Sequence, residues 1–279
     1  MELKSMNKPL CSIIIPVYNG EFFLERTIQS CLKQTYKFIE IITIDDASTD
    51  SSAEIIKKYS QLVYLCNESN CGLTKSLNLA STSAKGDFLL FLGHDDMLQP
   101  DHVEKMLCEF EDNTAFVHCN SDIIDENDNV FSVGCDDNKQ VYRTRHINLY
   151  LTLGPCIHST GLMIRKSKFD LINGWEEKYR NYGEWLLWIK LAKAGEVRYC
   201  TTVRALYRRH RTNITNQIYS KDGFRKYLRY KNECRKFGYS LLKCKLNIIE
   251  KVLSKSVYVL INLKYLLKSI VMYVDLTKC

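Results

Sequence analysis

The sequence lacks three patterns that identify common protein classes. Its twelve cysteines form no C-x-x-C pair, and those in apolar periodic segments act as small hydrophobic residues, which argues against structural zinc. No glycine-rich phosphate loop of the G-x-x-x-x-G-K-[ST] or G-x-G-x-x-G type follows the first strand. The longest uncharged stretch of the tail, Ser256 to Leu263, is far shorter than the roughly 20 apolar residues of a membrane-spanning helix.

The amino-terminal residues also lack an apolar export segment, so we expect a cytoplasmic protein with free thiols. With 279 residues, 46% of them hydrophobic, the chain is predicted to form one large α/β domain with a modest appendage. Its charge is unevenly divided: residues 221–279 contain fourteen Lys/Arg and four Asp/Glu, a net +10, which leaves −3 for residues 1–220. A basic tail suits either nucleic acid or anionic lipid headgroups as a partner.

Apolar periodicity predicts strands that alternate with helices over the first hundred residues. The first segment, Cys11–Val17, is a continuous apolar run typical of a strand buried on both faces. This alternation predicts a doubly wound sheet. The further predicted strands and helices are Glu21–Gln34 (helix), Phe38–Ile44 (strand), Ser51–Tyr59 (helix), Val63–Leu65 (strand), Leu73–Ser83 (helix), Phe88–Leu92 (strand) and Asp101–Phe110 (helix).

The second half is predicted to be less regular. Asp122–Lys139 is acidic and Asn-rich, which predicts a loop, and the residues from Lys221 onward show helical spacing broken near Gly238. The remaining predicted elements are the strands Phe116–Cys119, Leu162–Ile164, Val197–Cys200 and Ala205–Arg208 and the helix Glu184–Ala194.

Carboxylates follow two of the predicted parallel strands. Asp45 and Asp46 end the second strand, and Gly93-His94-Asp95-Asp96 follows the fourth. Ligands of open α/β sheets bind beyond the carboxyl ends of the strands, so these groups are expected at one edge. Without a glycine cradle, a phosphorylated ligand requires a divalent cation, and Mg²⁺ or Mn²⁺ suits both carboxylates and phosphate oxygens.

Six segments occur in a characteristic order: SIIIPVYNG, IDDASTD, NCGLTKSLN, GDFLLFLGHDDMLQPD, EWLLWIKLAKAG and YRRH. This ordered series resembles the inverting family 2 glycosyltransferases with the GT-A fold, from about Ser12 to Asn216. The resemblance implies a Rossmann-like mixed sheet flanked by helices. It also implies a catalytic domain over residues 1–218, with a nucleotide-sugar half at about 1–120 and an acceptor half at about 121–218, and a basic helical extension over 219–279.

For the donor side, the resemblance implies that Pro16, Tyr18 and Asp46 line the nucleotide base pocket, with Asp46 accepting a hydrogen bond from a uracil-like N–H. Asp95 matches the metal-binding carboxylate of the D-x-D motif, although Gly93 replaces the first Asp. The resemblance also implies that His210 is an additional metal or diphosphate contact. Lys75 is expected to contact the diphosphate and Asn78 to support the loop. For Lys75 and Asn78, a solvated or structural role is an equal alternative. Asp45 either joins the pocket or braces the turn.

For the acceptor side, the resemblance places the catalytic base at Glu184, because the family's E-D pair is aligned with Gly183-Glu184. An alternative is that Glu184 only favours the helix N-terminus through the macrodipole. Further candidates on the acceptor side are His158, Ser159 and Trp185, together with Tyr182 and Trp175, whose rings could stack on sugars or belong to the core.

The resemblance implies a metal-dependent hexosyl- or N-acetylhexosaminyltransferase that uses a UDP-sugar and a saccharide hydroxyl, on a lipid diphosphate carrier in cell-surface polysaccharide or O-antigen synthesis. A sugar nucleotidyltransferase and a non-catalytic carbohydrate-binding module are the alternatives, and no nucleic-acid motif is present. The basic tail predicts either peripheral contact with the anionic inner face of the plasma membrane or packing of residues Leu242–Val271 on protein. The lysines of this tail do not share one helical stripe, which argues against a simple membrane-surface helix.

Overall fold

The computed structural model describes residues 8–134, 137–180, 183–213, 221–257 and 259–260. Strands and helices alternate through the first half, as the periodicity predicts. The strands are β1 (Cys11–Val17), β2 (Ile39–Asp45), β3 (Val63–Cys66), β4 (Phe88–Phe91), β5 (Met97–Leu98), β6 (Thr114–Ile124), β7 (Val130–Val133), β8 (Met163–Arg165) and β9 (Glu196–Arg208). The helices are α1 (Leu24–Leu32), α2 (Ser52–Lys57), α3 (Leu73–Ser83), α4 (His102–Cys108), α5 (Asp137–Arg145), α6 (Ile147–Leu153), α7 (Lys166–Leu171), α8 (Glu184–Ala194), α9 (Lys221–Leu242) and α10 (248–257).

The strands of the described residues form one mixed sheet in the order β3-β2-β1-β4-β8-β6-β9-β5, with β7 paired to β6. β1 runs parallel to β2 and β4, so the first half is a parallel sheet. β8 is antiparallel to β4 and β6, whereas β9 is parallel to β6 and antiparallel to β5. The predicted mixed α/β architecture is confirmed.

Alternate residues of the central strands enter two separate cores, one on each face of the sheet. Ile14 of β1 packs with residues of α3, α6, α8 and α9, while Ile13 and Ile15 pack with residues of α1, α2 and α4. This double burial explains why β1 is an uninterrupted apolar run. It also fixes the strand ends in space, because a slip of one residue would exchange the two faces.

The prediction of a loop over Asp122–Lys139 is wrong. β6 continues to Ile124, the hairpin strand β7 follows, and α5 begins at Asp137. β7 is exposed along its whole length, and Gln140 is the buried residue of α5, so neither element has the apolar spacing that reveals a helix or strand in a sequence. The helices α6 and α7 were not predicted either.

Two further predictions need correction. Val197–Cys200 and Ala205–Arg208 belong to the single strand β9, whose register against β6 shifts between Cys119 and Asn120. The predicted helix break near Gly238 is also wrong, because α9 continues to Leu242. A Cβ at Gly238 would lie 3.1 Å from the Ile189 Cδ1 atom, so glycine permits the close approach of α9 to α8.

The domain limit proposed at residue 218 lies outside the described residues. Before it, β9 ends at Arg208, and after it α9 packs against α6 and α8 through buried residues that include Tyr230, Cys234 and Leu242. Within the described part of the chain, no helix is both long enough and apolar enough to span a bilayer.

Candidate active site

The loop after β1 is attached to the loop after β2 by hydrogen bonds at the carboxyl edge of the sheet. The Asn19 N–H donates to the Ser48 hydroxyl at 3.0 Å, and the Gly20 N–H donates to the Ser52 hydroxyl at 2.9 Å. Because these bonds use backbone donors, they set the path of both loops and not only of their side chains. The two predicted nucleotide-side segments therefore form one rigid edge.

Asp46 is buried and holds the loop that leads into α3. Its carboxylate accepts hydrogen bonds from the Cys71 N–H at 2.9 Å, the Gly72 N–H at 2.8 Å and the Asn67 side-chain amide at 2.8 Å. Gly72 has φ +91°, a conformation that L side chains rarely adopt. Burial opposes ionisation of Asp46, but these donors outweigh it and hold the pKa of this carboxyl below its usual value.

The other donor-side candidates divide into accessible and structural residues. Tyr18 is 47% exposed beside Asp46, and Lys75 is exposed with its charge acting on the Cys71 thiol. Pro16 precedes them, and its carbonyl oxygen lies 3.3 Å from the His94 Nδ1 atom. Asp45 accepts a hydrogen bond from the Ser48 N–H at 2.9 Å within the turn, which is the bracing alternative for this residue.

Asn78 has the structural role that was the alternative to nucleotide-sugar binding for this residue. Its amide group donates to the Trp175 carbonyl at 3.0 Å and accepts from the Trp175 N–H at 2.9 Å. A second donor contact joins it to the Glu177 carboxylate at 3.1 Å. The side chain is occupied in fastening α3 to the segment before α8.

Asp95 and His210 meet although 115 residues separate them. The His210 Nε2 atom lies 2.9 Å from the Asp95 Oδ2 atom, and the Asn213 amide donates to the same oxygen at 3.0 Å. Burial opposes ionisation of Asp95, but the hydrogen bond from His210 and the nearby histidines lower the pKa of this carboxyl. Asn213 was not predicted, because nothing in its local sequence indicates a partner 118 residues away.

Arg208 is fully buried beneath this pair. Its guanidinium donates to the Asp95 carbonyl at 2.8 Å and to the Asp125 carbonyl at 2.6 Å, and it pairs with the Asp128 carboxylate at 2.5 Å. The Phe23 ring lies against both the Arg208 guanidinium and the His210 imidazole, with centroid distances of 4.8 Å. Arg208 therefore couples the end of β9 to the loop after β4 and to the β6–β7 turn.

Asp96 faces inward and is held in place by two elements. It accepts hydrogen bonds from the Arg208 N–H at 3.0 Å and from the Thr160 hydroxyl at 3.1 Å. Burial and the neighbouring Asp95 charge raise the pKa of Asp96 well above its usual range.

Gly93 leaves the space that these carboxylates use. A Cβ at this position would lie 2.8 Å from the Asp95 Oδ1 atom and 3.2 Å from the Asp96 Oδ2 atom. Gly93, which replaces the first Asp of the D-x-D motif, therefore leaves room for the Asp95 and Asp96 carboxylates.

Glu184 lies at the first turn of α8, where protein surrounds it closely although its side chain retains exposed surface. Burial raises the pKa of its carboxyl, and a hydrogen bond with the Ser159 side chain acts in the opposite direction. Gly183 precedes it, and a Cβ there would lie 2.9 Å from the Thr74 Cγ2 atom and 3.1 Å from the Trp175 Cε3 atom. Dense packing accounts for glycine at this position.

Contacts join the three carboxylate regions into one connected set. Ser159 contacts Glu184, and the next residue, Thr160, donates to Asp96. Consecutive Cα atoms are about 3.8 Å apart, so the metal-side carboxylates and Glu184 border the same short segment. On the other side, the loop at Gly72 binds Asp46 while Thr74 packs on Gly183.

The remaining acceptor-side candidates differ in access. His158 is half-buried beside Gly134, and burial lowers the pKa of its imidazole. Trp185 is 2% exposed, and its indole N–H donates to the Leu151 carbonyl at 2.9 Å, so the expectation that it stacks on an acceptor sugar is wrong. Trp175 is likewise buried in the core, and Tyr182 lies outside the described residues.

The donor set at Asp95 and His210 fits a divalent cation that also binds a ligand. One carboxylate oxygen and one imidazole nitrogen face each other, and among the described residues no group of three or more His, Cys, Asp and Glu side chains forms a complete protein cage. Mg²⁺ commonly takes only one or two carboxylates and completes its shell with substrate phosphates and water. A cation here would thus depend on a diphosphate for several of its ligands.

The model of Glycosyl transferase family 2 matches residues 12–172, which is more than half of the chain. The protein belongs to this family. An uncharacterized glycosyltransferase of Rickettsia typhi is 30% identical over 211 residues, which cover 75% of this chain and 66% of that protein. Across Rickettsia relatives, the chain spans 34% to 68% of their length.

Solved structures of TarS and of the mannosyltransferase PcManGT share the GT-A fold with this chain. Staphylococcus aureus TarS (residues 1–349) in complex with UDP-GlcNAc superposes with a TM-score of 0.64 and 17% identity, over 84% of this chain and 70% of that one. The mannosyltransferase PcManGT of Pyrobaculum calidifontis, in complex with GDP-Man and Mn²⁺, gives a TM-score of 0.62 and 14% identity, over 90% and 74% of the two chains. The predicted family and fold are confirmed.

Proposed function

We propose that this family 2 glycosyltransferase transfers a sugar from a UDP-sugar to a hydroxyl group of a saccharide acceptor, with inversion and with Mn²⁺ or Mg²⁺. One observation carries the proposal: the adjacent residues Ser159 and Thr160 contact Glu184 and Asp96 respectively. This arrangement brings a carboxylate that can accept a proton next to a carboxylate cluster that can hold a cation.

The donor nucleotide would lie along the edge formed by the loops after β1 and β2. Tyr18 is accessible there for stacking on the base, beside Pro16, and Asp46 would accept the N–H of a uracil ring. The Asp46 carboxylate is already fixed by backbone N–H groups, so its position costs no reorganisation when the base binds. Lys75 lies three residues after Gly72, whose N–H donates to Asp46, and would face the diphosphate.

Asp95 and His210 would hold the divalent cation. When bound, the cation neutralises the charge that develops on the departing diphosphate. Asn213 and Arg208 would act indirectly, because Asn213 donates to the Asp95 carboxylate and Arg208 donates to the Asp95 carbonyl. This support keeps the carboxylate oriented while its oxygen exchanges partners.

Glu184 would act as the general base. An acceptor hydroxyl becomes an effective nucleophile only when its proton has a destination, and a raised pKa brings a carboxylate closer to the ideal for accepting it. The acceptor oxygen forms a bond to the anomeric carbon, the bond from that carbon to the UDP oxygen breaks, and the proton passes to Glu184. Attack from the face opposite UDP inverts the anomeric configuration.

The acceptor would be a saccharide on a lipid diphosphate carrier, in the synthesis of a cell-surface polysaccharide or O-antigen, and the donated sugar a hexose or N-acetylhexosamine. The UDP-GlcNAc complex of TarS supports the donor class. The net charge of +10 in residues 221–279 supports a cytoplasmic protein that works at the inner face of the plasma membrane.

Two glycines favour a second candidate, a carbohydrate-binding module without turnover, because Gly93 and Gly183 replace acidic motif positions. The discriminating experiment incubates the protein with Mn²⁺, UDP-sugars and a sugar-lipid mimic. We expect a new glycoside of inverted configuration. Release of pyrophosphate in a parallel incubation with UTP and a sugar 1-phosphate would instead indicate a nucleotidyltransferase, and donor binding without product would indicate a binding module.

A preliminary screen narrows the donor. Ligands that bind the folded state raise the unfolding temperature, so each nucleotide sugar is tested with and without Mn²⁺. We expect a UDP-sugar to stabilise the protein only when Mn²⁺ is present. Equal stabilisation without the cation would contradict the role of Asp95 and His210.

A further inference from the structure

The helix α10 contacts the domain with polar side chains. The Glu250 carboxylate lies 3.2 Å from the His146 Nδ1 atom, and the Ser254 hydroxyl lies 2.7 Å from the Thr152 hydroxyl. Ser254 is 3% exposed, so this side of the helix is covered by α6. Glu250 and Ser254 are four residues apart and lie on the same side of the helix.

The opposite side of the same helical segment is apolar and faces solvent. Its residues recur at one- and four-residue spacing through residue 253 and again at 259 and 260, which places them on one face. A helix of a soluble domain ordinarily buries its apolar face and exposes its polar one, and α10 does the reverse. The exposed side chains, with their exposed fractions, are Ile248 (80%), Ile249 (71%), Val252 (59%), Leu253 (47%), Val259 (55%) and Leu260 (64%).

Cations border this apolar face, and no anion does. Lys251 and Lys255 are one turn apart beside the row that contains Ile248 and Val252, and Lys255 is exposed. Glu250 is the single acidic residue between positions 243 and 260, and its carboxylate points to His146. The face therefore combines apolar side chains with positive charge.

The sequence after this helix has the same composition. Residues 261–279 contain three lysines and one aspartate among leucine, isoleucine, valine, methionine and tyrosine. The lysines of the whole tail share no single stripe, but within α10 Lys251 and Lys255 lie together beside one apolar face. An apolar helix face bordered by lysines is the pattern of helices that lie in the interface of anionic bilayers, so the expectation against a membrane-surface helix does not hold for this segment.

We propose that one exposed face docks on an anionic lipid bilayer. It is formed by Ile248, Ile249, Val252 and Leu253 of α10 together with Val259 and Leu260, which follow this helix. The apolar side chains enter the boundary between headgroups and acyl chains, and Lys251 and Lys255 lie against the lipid phosphates. A second copy of the chain is a poorer partner, because two such faces would bring lysines together without acidic partners. The docking surface rests on the proposed function in one respect: its role would be to hold the catalytic domain beside a lipid-linked acceptor.

Vesicle flotation with the full-length protein tests this surface. We expect wild type to float with vesicles of phosphatidylcholine and phosphatidylglycerol, much less with phosphatidylcholine alone, and less at high salt. The double variant Ile249→Asp/Val252→Asp should lose flotation. Lys251→Glu/Lys255→Glu should bind the anionic vesicles at least about 30-fold more weakly, as expected for two cations at an anionic surface.

Matched controls carry the same chemical changes elsewhere on the surface. Leu171→Asp alters an apolar side chain that is 68% exposed on α7, and Lys57→Glu/Lys58→Glu alters an exposed lysine pair on and just after α2. Both controls should float like wild type, and all variants should unfold at the wild-type temperature because each altered side chain is on the surface. Equal flotation of the α10 variants and the controls would overturn the proposal.

Two further outcomes also decide against it. Sedimentation that shows a dimer without lipid, converted to a monomer by Ile249→Asp/Val252→Asp, would assign the face to a second copy. Absence of wild-type flotation would show that protein covers the face. Turnover of a water-soluble acceptor separates this result from the proposed function: activity without flotation removes only the docking surface, and flotation without activity removes only the catalytic assignment.

Discussion

The two halves of the catalytic domain hold their carboxylates by different means. Asp46, in the regular parallel half, is fixed by donors that are 21 to 26 residues away along the chain. Asp95 lies in the same half, but its partners His210 and Asn213 come from the end of the irregular half, 115 and 118 residues away. A local loop thus forms the proposed recognition side of the site, and the proposed reactive side exists only after the two halves have joined.

The three carboxylates also differ in charge environment. Burial is offset at Asp46 and Asp95 by several donors, which lower the pKa of both, whereas Glu184 has Ser159 as its hydrogen-bond partner and a raised pKa. Groups with lowered pKa remain ionised and serve for binding. A group with a raised pKa is suited to exchange a proton.

The strongest test of this division is Glu184→Gln. Loss of a general base should lower kcat by about 10²- to 10⁴-fold with little change in the KM of the donor. The matched control is Glu54→Gln, which makes the same change in the first turn of α2. If Glu184 only stabilised the N-terminus of α8, both variants would lose a similar, small amount of stability and retain their rates.

Asp95→Asn should lower turnover by about 10²- to 10³-fold, as expected when an electrostatic contribution to the transition state is removed. Thermal stabilisation by Mn²⁺ together with UDP should disappear in the same variant. Asp170→Asn, which alters a carboxylate on α7 paired with Lys166, should behave as wild type. Retained Mn²⁺ dependence in Asp95→Asn would exclude this residue as the cation ligand.

The pH dependence of kcat distinguishes the roles further. Because the pKa of Glu184 is raised, its ionised form is lost at a higher pH than that of an ordinary glutamate, and kcat should fall about tenfold per pH unit below that pKa. Ser159→Ala removes the hydrogen bond that lowers this pKa, so the acid limb should move to higher pH. The exposed Ser132→Ala is the control, and an unmoved limb in Ser159→Ala would contradict the assignment.

Asp46→Asn should act on binding and stability instead. The amide cannot accept from all of the donors that converge on the carboxylate, and a lost charged hydrogen bond costs about 1.5 to 3 kcal/mol. Urea unfolding should show this loss above about pH 4. The difference in unfolding free energy between wild type and Asp46→Asn should become smaller in acid. The reason is that a group with a lowered pKa contributes stability that disappears as pH falls through that pKa. Asp45→Asn should lower stability without raising the KM of the donor.

The smallest effect is expected for Trp185→Phe. The Leu151 carbonyl would lose its donor, which costs about 1 to 3 kcal/mol of stability as measured by urea unfolding. The KM of the acceptor should not change, because the ring has no exposed face. A large increase in acceptor KM with unchanged stability would restore the stacking role.

The regular half could be predicted from sequence because its signals are local. Double burial of β1 leaves an uninterrupted apolar run, and the strand and helix limits of Cys11–Val17 and Leu73–Ser83 agree with the prediction. The carboxylates Asp46 and Asp95 were found for the same reason, since both follow such strands. The two roles open to Asn78 could not be separated from sequence, because its partners Trp175 and Glu177 are distant along the chain.

The irregular half could not be predicted in the same way. β9 resembles two short strands because Thr201 and Thr202, at its register shift, are polar and exposed, which interrupts the apolar pattern. Arg208 and Asn213 carry no local signal either, since a buried arginine is defined by the carbonyls and carboxylate around it. Their position at and just after the end of β9 is the one sequence feature that could have indicated a site, as it did for Asp46 and Asp95 in the regular half.

The position of β9 has a consequence for how the protein is made. Arg208 follows Asp96 by 112 residues, which at cellular elongation rates corresponds to roughly 6 to 22 seconds of synthesis. From the completion of β6 until β9 is made, one edge of β6 lacks the strand that pairs with it and Asp95 lacks His210, so the nascent chain carries an open strand edge and an uncompensated acidic pair. Folding of this protein without aggregation therefore depends on how quickly β9 is synthesised, or on a chaperone that covers the unpaired edge of β6.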